Sequence, residues 1–356
     1  VEFWRQAAFF GDIRIFRPTH NNQEFTLVEG TPLRPEDHWK TGGGGYRMDS
    51  PSVLRIARNP HADVYPEFLL TKERPLAGAN LREEFANLLT SNPQFAKATV
   101  NLFWSHFMTV GIVDPPFAWD LDRQDSHNPP PAPWTIQPSH PELLEALAQD
   151  FQKHHFDLRH LMQLITKSNT YQLSSRAPKH WKPRYDHYFA RRLVRRLSAE
   201  EAYDAISKAT NVFPEISVAG TDQKVPYLLE TYGPVFDKVE SDSKQFLDLF
   251  GRGNRKTTSR DNKSSVIQAS LLLNSETVKK KVLASTKDSR VAKLLKKTPT
   301  LSNKELVEEL FLSTLSRFPT EQEIEKSVGY LERYRNKGVE DLQWALLNKL
   351  EFLVNY

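Results

Sequence analysis

Cysteine is absent from the 356 residues of this chain. Disulfides, thiolate zinc sites, iron–sulfur clusters and covalent haem attachment through a C-x-x-C-H motif all require cysteine, so the chain carries none of them. Long apolar runs are absent too, since none approaches the roughly 18 residues that a membrane-spanning helix needs. We therefore predict no membrane span. The lack of cysteine assigns no compartment, because exported bacterial proteins often contain none.

The familiar catalytic and metal-binding motifs are also missing. The sequence has no H-E-x-x-H or similar spacing of histidines, no G-x-S-x-G elbow and no phosphate-binding loop. Asp120 and Asp122 begin like an EF-hand loop, but the glycine and the bidentate glutamate of such a calcium site do not follow at the required positions. We predict no metal ion and no cofactor bound by this chain, and no motif names a reaction.

The chain has the composition of a folded protein. Apolar residues make up 39% and aromatic residues 11%, a content of core-forming side chains that argues against disorder. The net charge of +4 is small for this length, but it is unevenly distributed. Residues 176–196 contain eight Arg or Lys against one Asp, and residues 279–297 show the same excess. Charge blocks of this kind are typical of solvated helix faces.

Binding of single-stranded nucleic acid requires aromatic side chains that stack on bases between the basic residues. Residues 251–265 are basic but contain no aromatic residue. Residues 176–196 do place Trp181, Tyr185 and Tyr188 among basic residues. The same pattern is typical of arginines that extend their aliphatic stems along a helix. We therefore predict no nucleic-acid partner.

Helical periodicity begins near Leu81, where apolar residues recur at spacings of three and four. Before it, residues 1–78 are interrupted by proline and glycine, which favours extended segments and a few short strands. The predicted fold class is mainly α, an irregular multi-helix domain with long proline-rich loops. Three segments are predicted: the tail of a preceding domain at 1–78, a helical domain with irregular loops at 79–250, and a C-terminal helical subdomain packed on it at 251–356.

Several helix starts are marked by capping residues. Asn92 with Pro93 predicts one start, and "SAEEAYDAISKAT" is predicted to be another capped helix. Capping boxes are predicted at Ser139–Glu142, Ser302–Glu305 and Thr320–Glu323. The predicted C-terminal helices span about 264–273, 275–297, 302–315, 320–335 and 338–350.

The proline-rich loop between Gly111 and Ser139 is the first candidate site. Carboxylates that share a cleft can divide acid and base roles, and tryptophan faces stack well on sugar rings. The candidate catalytic residues are Asp114, Asp120, Asp122, Arg123 and His106, and the candidate ligand-binding tryptophans are Trp104, Trp119 and Trp134. His106 also fits a core position, because it follows Trp104 on a strongly apolar helix.

The second candidate site is the basic stretch "FGRGNRKTTSRDNKSS", which precedes an apolar helical segment. Backbone amides at the start of that segment attract anions, so Arg252, Arg255 and Arg260 are candidate anion ligands. The alternative is a structural loop whose arginines pair with acids elsewhere. In that interpretation Arg252 has a fixed structural partner, while Arg255 and the neighbouring lysines are solvated.

Six motifs, in order, resemble a known family. They are "NPQFAKATVNLFWSHFMTVGIVDP", "NPP" with "PSHPELLEALAQDF", "LITKSNTYQLSS", "RRLSAEEAYDAI", "FLDLFGR", and "LFLSTLSRFPTEQE" with "WALLNKLEFLVNY". From about Arg74 to Tyr356, the chain is similar to the uncharacterised C-terminal domain of planctomycete-type cytochrome c-associated exported proteins. Its start, with "FWRQAAFFGDI", resembles the closing helix of the uncharacterised domain that precedes it in that family.

The resemblance implies a large exported protein in which a cytochrome c-like domain often comes first. Any haem c would then lie on a preceding domain or on a partner chain. The family has no established activity to carry over. Leu102 stands where the family usually has Arg, which alters any polar site on that helix. The loop after "FGR" lacks the cysteines common in the family, which disfavours a redox or metal role for it.

The leading hypothesis is an extracytoplasmic scaffold or partner-binding module, periplasmic or at the cell surface, of a larger cytochrome c-linked protein or electron-transfer assembly. Its partners would be other protein chains or the N-terminal part of the same precursor. The alternative is a carbohydrate-active enzyme or glycan-binding module that uses the loop at 111–139. A third hypothesis is binding of anions or acidic glycans by the basic segments. The sequence leaves open whether the chain is an enzyme.

Overall fold

The structure of the chain is a computed structural model. The residues that it describes are 2–10, 13–16, 26–29, 46–47, 63–76, 78–217, 222–230, 246–248, 250–252, 275–297 and 300–355. The helix predicted at 264–273 lies outside them.

The prediction of a mainly α fold is confirmed. The helices are α1 (Glu2–Ala8), α2 (Leu81–Ser91), α3 (Pro93–Met108), α4 (Pro141–Lys153), α5 (Leu158–Lys167), α6 (Ala199–Thr210), α7 (Glu276–Lys281), α8 (Arg290–Leu295), α9 (Asn303–Leu315) and α10 (Glu321–Leu347). The strands form short antiparallel pairs: β1 (Ile13–Phe16) with β2 (Thr26–Glu29), β3 (Tyr46–Arg47) with β4 (Asp63–Val64), β5 (Arg195–Arg196) with β8 (Val354–Asn355), and β6 (Ile216–Ser217) with β7 (Lys224–Val225). In the register of β1 and β2, Ile13 lies opposite Glu29. None of the helices in the described part of the chain combines the length and the apolar character needed to traverse a lipid bilayer.

The chain divides into two compact units, Val1–Arg192 and Leu193–Tyr356. The division falls inside the segment that the sequence predicts as one helical domain, 79–250. Each unit has a hydrophobic core assembled from its own helices.

The core of the first unit lies between α3, α4 and α5. As predicted, α3 begins where Asn92 accepts a hydrogen bond from the Gln94 amide and Pro93 occupies the first turn. One face of α3 buries Val100 and Trp104 against the apolar faces of the other two helices. Burial of each large apolar side chain stabilises the fold by about 1.5–3 kcal/mol. The other buried side chains of this core include Ile112, Leu144, Phe151, Leu161 and Ile165.

A buried amide joins α3 to the loop that follows it. The Asn101 side chain donates from Nδ2 to the Val113 carbonyl at 2.8 Å and accepts the Val113 amide on Oδ1 at 2.9 Å. Gly111 approaches so closely that a Cβ there would lie 2.2 Å from the Val113 carbonyl oxygen. A larger residue would therefore push the loop away from α3 and weaken both hydrogen bonds.

The core of the second unit is built mainly from α6, α9 and α10. The cap predicted for α6 and the capping boxes predicted for α9 and α10 are all confirmed. In each box a Ser or Thr oxygen accepts the amide three residues on, while the Glu side chain accepts the amide of the cap residue. The pairs are Ser198 with Glu201, Ser302 with Glu305, and Thr320 with Glu323.

Arg317 fixes the turn between α9 and α10. Its guanidinium donates to both carboxylate oxygens of Glu323, at 2.8 and 3.0 Å, and to Glu351 at 2.9 Å. Lys349 adds a 2.6 Å contact to Glu323. The hydrogen bond from Arg317, with a smaller contribution from Lys349, holds the pKa of Glu323 well below its usual range. The turn is thereby joined to the end of the chain, where Glu351 lies in a 3-10 turn.

Helix boundaries after residue 275 differ from the predicted ones. The single helix predicted at 275–297 is two short helices, α7 and α8. Asp288 adopts a left-handed conformation (φ 59°), and Ser289 then caps a new helix by accepting the Ala292 amide. The two helices predicted at 320–335 and 338–350 are present as the two parts of α10, which meet at a kink where Tyr334 has a non-helical conformation (φ −135°, ψ 46°).

The capping box predicted at Ser139 and Glu142 is wrong. His140 is the residue that precedes α4, and its side chain makes no capping hydrogen bond. Ser139 instead donates both its amide, at 2.8 Å, and its hydroxyl, at 3.1 Å, to the Ile112 carbonyl. This contact joins residues far apart in sequence, so local spacing does not reveal it.

We predict that Asn101→Ala lowers the free energy of unfolding of the first unit by about 2–4 kcal/mol, because the buried amide and carbonyl of Val113 lose their partners. Urea unfolding followed by circular dichroism measures the change. The control is Leu102→Arg on the exposed face of the same helix, which should change stability by less than about 0.5 kcal/mol. Equal losses in the two variants would contradict a special role for the Asn101 pairing.

A second pairing makes the stability of the second unit depend on pH. Arg195 donates to both oxygens of Glu201, at 2.8 and 2.9 Å, and the Ser198 amide donates to Glu201 at 2.7 Å. Burial alone would raise the pKa of Glu201, but the hydrogen bonds from Arg195 and Ser198 outweigh it and lower the pKa to about 2. The stabilisation is therefore complete above the unfolded-state pKa, near 4.5, and is lost as the pH falls towards 2.

We predict that Glu201→Gln destabilises the second unit at neutral pH. The difference in unfolding free energy between variant and wild type should narrow by roughly 1–2 kcal/mol between pH 5 and pH 2, after allowance for solvent screening of a partly exposed pair. Urea unfolding at several pH values measures this gap. Glu325→Gln, at an exposed position of α10, is the matched control and should show a small gap that hardly varies with pH. A gap for Glu201→Gln that is constant across this range would refute the linkage.

Candidate functional site

The loop at 111–139 is closed at its base and cross-linked inside. The Ile112 carbonyl receives both hydrogen bonds of Ser139, which brings the two ends of the loop together. Inside the loop, the Gln137 side chain accepts the Asp120 amide at 2.9 Å. The loop is therefore a built surface element of the first unit, and we call it the 111–139 loop.

Two of the candidate carboxylates of this loop, Asp114 and Asp120, accept contacts from nearby backbone amides, whereas Asp122 is exposed. Asp120 accepts the Asp122 amide at 3.2 Å and so caps the 3-10 turn Leu121–Arg123. Asp114 accepts a long contact of 3.5 Å from the Gly111 amide. Within the described ranges, no hydrogen bond or ion pair joins Asp114 to Asp120 or Asp122. This arrangement is typical of aspartates that form turns.

Arg123 lies against Trp134. Its Nε donates to the Thr135 carbonyl at 2.8 Å, and its guanidinium carbon lies 5.2 Å from the centre of the Trp134 ring. The distance from Arg123 to the Asp120 carboxylate is 3.9 Å, too long for a hydrogen bond. Trp134 is 60% exposed and Phe117 is 80% exposed. The loop thus presents aromatic surface to solvent.

The other candidate residues lie in different environments. Trp104 is buried and packs edge-on against Phe189, with ring centres 5.1 Å apart. Trp119 is half-buried, and its indole N–H is bonded to a carbonyl within the loop. His106 is exposed near the end of α3, whereas the sequence suggested a core position. The structure therefore places Trp104 in the core and Trp134 outside it, so the three tryptophans do not share one surface.

Only part of the second candidate site falls within the described residues. Arg252 is half-buried, and its amide donates to the Leu247 carbonyl at 3.1 Å, next to Gly251 with its positive φ of 80°. Arg255 and Arg260 lie outside the described residues. Anion binding by these three arginines stays a prediction.

The basic segment at 176–196 ends in arginines that are bound within the fold. In the first unit, Arg192 is buried and donates to the Phe107 carbonyl, and its guanidinium lies 4.0 Å from the centre of the Tyr171 ring. Arg191 donates to the Ser175 carbonyl at 3.2 Å. The sequence suggested arginines that extend along a helix. In the structure, Arg191 and Arg192 instead stabilise the unit through fixed polar contacts.

The beginning of the same segment is exposed. Arg176, Lys179, Lys182 and Arg184 all lie at the surface. In the part of the chain that the structure describes, none of these four side chains forms an ion pair with a carboxylate. Among the described residues, no carboxylate therefore neutralises the positive charge of this surface.

Three aromatic rings lie among these cations. Trp181 and Tyr185 pack edge to face with ring centres 5.9 Å apart, and Tyr185 and Tyr188 lie nearly parallel at 6.0 Å. The Trp181 indole N–H donates to Asp186 at 2.7 Å, and the Arg191 guanidinium lies 4.9 Å from the Trp181 ring centre. Tyr188 is 66% exposed. We call residues 176–191 the aromatic–basic segment.

A sharp turn between α4 and α5 brings three metal-ligand side chains together. His155 and Phe156 in this turn have left-handed conformations, with φ of 53° and 59°. As a result, Asp150 at the end of α4, His154 just after it and His160 in the first turn of α5 become neighbours. One potential ligand atom from each of the three lies within 4.8 Å of the others. We call this the Asp–His cluster.

Asp150 is at the centre of the Asp–His cluster. Its Oδ2 lies 2.7 Å from His160 Nε2, and its Oδ1 lies 3.3 Å from His154 Nδ1. The two imidazole rings stack with centres 3.8 Å apart and planes inclined by 19°. His154 Nδ1 also lies 2.8 Å from the Asp150 carbonyl oxygen. All three side chains are partly exposed, by 33%, 40% and 32% for Asp150, His154 and His160.

The Asp–His cluster was not predicted from the sequence. The D-x3-H-x5-H spacing crosses a helix boundary, so the position of His160 depends on the turn and not on helical period. One signal was present: Asp150 and His154 are four residues apart, a spacing that places two side chains on one face of a helix.

A comparison with known families identifies most of the chain. The model of a family described as "PSD1: Protein of unknown function (DUF1553)" matches residues 81–331. No curated protein and no solved structure matches the chain. The family match covers well over half of the 356 residues and agrees with the predicted resemblance to an uncharacterised domain. The chain therefore belongs to PSD1, a family of proteins of unknown function.

Proposed function

We propose that this chain is a partner-binding module of a larger, extracytoplasmic, cytochrome c-linked protein or electron-transfer assembly, and that the aromatic–basic segment binds an acidic protein partner. The observation that carries the proposal is the combination of three packed rings with four exposed cations that have no carboxylate partner among the described residues. The haem would lie on the partner or on the N-terminal part of the same precursor.

The aromatic rings support binding because they are held before a partner arrives. Trp181 is fixed by its hydrogen bond to Asp186 and by the Arg191 guanidinium, and it supports Tyr185, which in turn supports the exposed Tyr188. A side chain that is already held loses less conformational entropy on binding. Tryptophan, tyrosine and arginine are also the residues that most often dominate the energy of protein interfaces.

The charge of the segment indicates the kind of partner. Arg176, Lys179, Lys182 and Arg184 would attract carboxylates of another protein at long range and orient the encounter. Redox partners often meet through small, charge-guided interfaces that release quickly. A basic surface with an aromatic centre suits one side of such an interface, and an acidic patch on the haem-carrying protein suits the other.

The first test isolates the protein from its native source at low salt and records its absorption spectrum with the intact masses of all co-purifying chains. We predict that a haem Soret band accompanies the chain. If the haem is on a separate chain, the band should dissociate at about 0.3 M salt, because screening weakens charge-guided contacts. A Soret band on the same polypeptide would support the cytochrome c link directly, and the absence of haem from every fraction would contradict it.

The second test locates the binding surface. Where the haem is on a separate chain, reversing Lys179, Lys182 and Arg184 to Glu should weaken its binding at least about tenfold, since three attractions become repulsions. Reversal of Lys280, Lys293 and Lys296, which are exposed in the second unit, removes the same net charge and is the matched control. Equal losses from the two triple variants would mean that net charge, and not the aromatic–basic segment, drives binding.

A glycan-binding module, with or without carbohydrate-active catalysis, is the second candidate function, and the exposure of Trp134 favours it. One face of that ring is contacted by Arg123, which leaves a flat aromatic surface of the kind that stacks on sugars. The Asp114 and Asp120 carboxylates contact the backbone of the loop itself, so binding is better supported than catalysis.

For this candidate we predict that Trp134→Ala lowers affinity for neutral oligosaccharides at least about tenfold, a loss in line with the burial of an aromatic ring. Fluorescence titration or calorimetry measures the affinity, and release of reducing ends in the same samples reports catalysis. Phe318→Ala, which alters a ring that is 67% exposed in the second unit, is the control. If no oligosaccharide binds the wild-type chain, the candidate is wrong.

A further inference from the structure

We propose that the Asp–His cluster is a binding site for a first-row divalent cation, and that Zn²⁺ fits it best. Two imidazole nitrogens and one carboxylate oxygen are a ligand set typical of Zn²⁺ and Fe²⁺ in proteins. Ca²⁺ and Mg²⁺ prefer sites made of oxygen ligands. The proposal rests on the geometry of Asp150, His154 and His160 and is independent of the partner-binding surface.

The distances in the cluster are close to those that the ion requires. With bonds of about 2.0–2.2 Å to nitrogen and oxygen, the ligand atoms of a tetrahedral zinc site lie roughly 3.4 Å apart. The Asp150 Oδ1 to His154 Nδ1 distance is 3.3 Å, and the Asp150 Oδ2 to His160 Nε2 distance is 2.7 Å. The ion would replace the hydrogen bond between Asp150 and His160 and open that pair by less than about 1 Å. It would also replace the stacking of the two imidazoles, because an imidazole binds a metal in its own ring plane and these planes are nearly parallel at 3.8 Å. At least one of the two partly exposed rings therefore turns towards the ion.

His154 can supply a ring nitrogen without displacement of the backbone. Its Nδ1 faces both the Asp150 carboxylate and the Asp150 carbonyl. When Nδ1 binds the ion, the ring proton moves to Nε2 by exchange with water, which reaches a side chain that is 40% exposed. For His154, binding therefore costs its contact to a carbonyl and its stacking on His160, and gains a metal bond.

The backbone around the cluster is held in place by the core. Phe151 and Leu161, which follow Asp150 and His160 in sequence, are each 1% exposed. Asp157 caps α5 by accepting the amides of Arg159 and His160, at 2.8 and 3.2 Å. Ligands attached to such fixed elements lose little freedom when they bind an ion.

Helix capping explains only part of the cluster. A histidine at the end of α4 complements the negative end of the helix dipole, and His154 occupies that position. His160 instead lies in the first turn of α5, where the dipole gives no reason for a cation. Helix capping therefore does not explain its 2.7 Å contact with the Asp150 carboxylate of the preceding helix. A set of ligands that converge on one ion does explain it.

Three protein ligands on a partly exposed surface leave at least one coordination position to water. Structural zinc sites usually have four protein ligands and exclude solvent, whereas sites with three bind an exchangeable fourth ligand. The Asp–His cluster would therefore offer its ion to an outside ligand, such as a carboxylate or imidazole from another molecule.

The test titrates the full chain, without a histidine tag, with Zn²⁺ and with Co²⁺ near pH 7.5. We predict one tight site by calorimetry, Co²⁺ absorption bands typical of nitrogen and oxygen coordination, and no response to Mg²⁺. His154→Asn, His160→Gln and Asp150→Asn should each weaken binding at least about tenfold, and lowering the pH should weaken it further, because protons compete for the ligands. His155→Asn is the matched control: it alters the adjacent histidine of the same turn, and Asn tolerates the left-handed conformation.

Thermal unfolding separates loss of the ion from loss of the fold. The wild type and the His155→Asn variant should unfold at a higher temperature when Zn²⁺ is added in excess, since ligand binding stabilises the native state. The three ligand variants should keep their circular dichroism spectra but lose this increase. The proposal is overturned if the wild type binds no Zn²⁺, or if His154→Asn and His160→Gln bind it as tightly as His155→Asn does.

Discussion

The pairing of the Asn101 side chain with the Val113 backbone is the contact on which the surface of the first unit depends. It satisfies a buried donor and a buried acceptor at once, and it requires glycine at position 111 because a side chain there would meet the Val113 carbonyl. With that edge fixed to α3, the Ile112 carbonyl is in place to receive Ser139. A single buried amide thus determines where a long, proline-rich loop begins and ends.

The arginines of this chain fall into two groups: some are bound within the fold, and others are exposed to solvent. Arg192, Arg195 and Arg317 donate to carbonyls or carboxylates in fixed geometry, which offsets the cost of removing their charges from water. Arg176 and Arg184 have no carboxylate partner among the described residues and stay hydrated. Each arginine contributes the same charge to the sequence, whether it is bound within the fold or exposed. Only the exposed group can act on another molecule, which is why the aromatic–basic segment, and not the whole basic block, is the proposed interface.

The sequence predicted those features that depend on a few neighbouring residues. The caps at Asn92, Ser198, Ser302 and Thr320 were correct because each needs only an oxygen and an amide two or three residues on. The capping box at Ser139 was wrong because α4 begins after His140, which places Ser139 one residue before the capping position, where its hydroxyl donates to the distant Ile112 carbonyl. The Asp–His cluster was not predicted because its geometry depends on a turn with two left-handed residues, which the spacing of its residues does not reveal. The three candidate tryptophans do not form one site because Trp104 is buried and Trp134 is exposed. Their spacing in the sequence does not reveal this difference in burial.

The polar contacts within the 111–139 loop bear on whether it is catalytic. A general acid and a general base need carboxylates whose environments differ and whose oxygens face a shared space. Here Asp120 uses its oxygen to form a turn, Asp114 faces the amide of Gly111, and Arg123 is engaged with a carbonyl and with Trp134. These three polar groups thus serve the shape of the loop, while the rings of Phe117 and Trp134 are exposed. This arrangement favours a binding surface over a catalytic cleft. The Asp–His cluster differs in that polar side chains from two helices, Asp150 of α4 and His160 of α5, face each other directly.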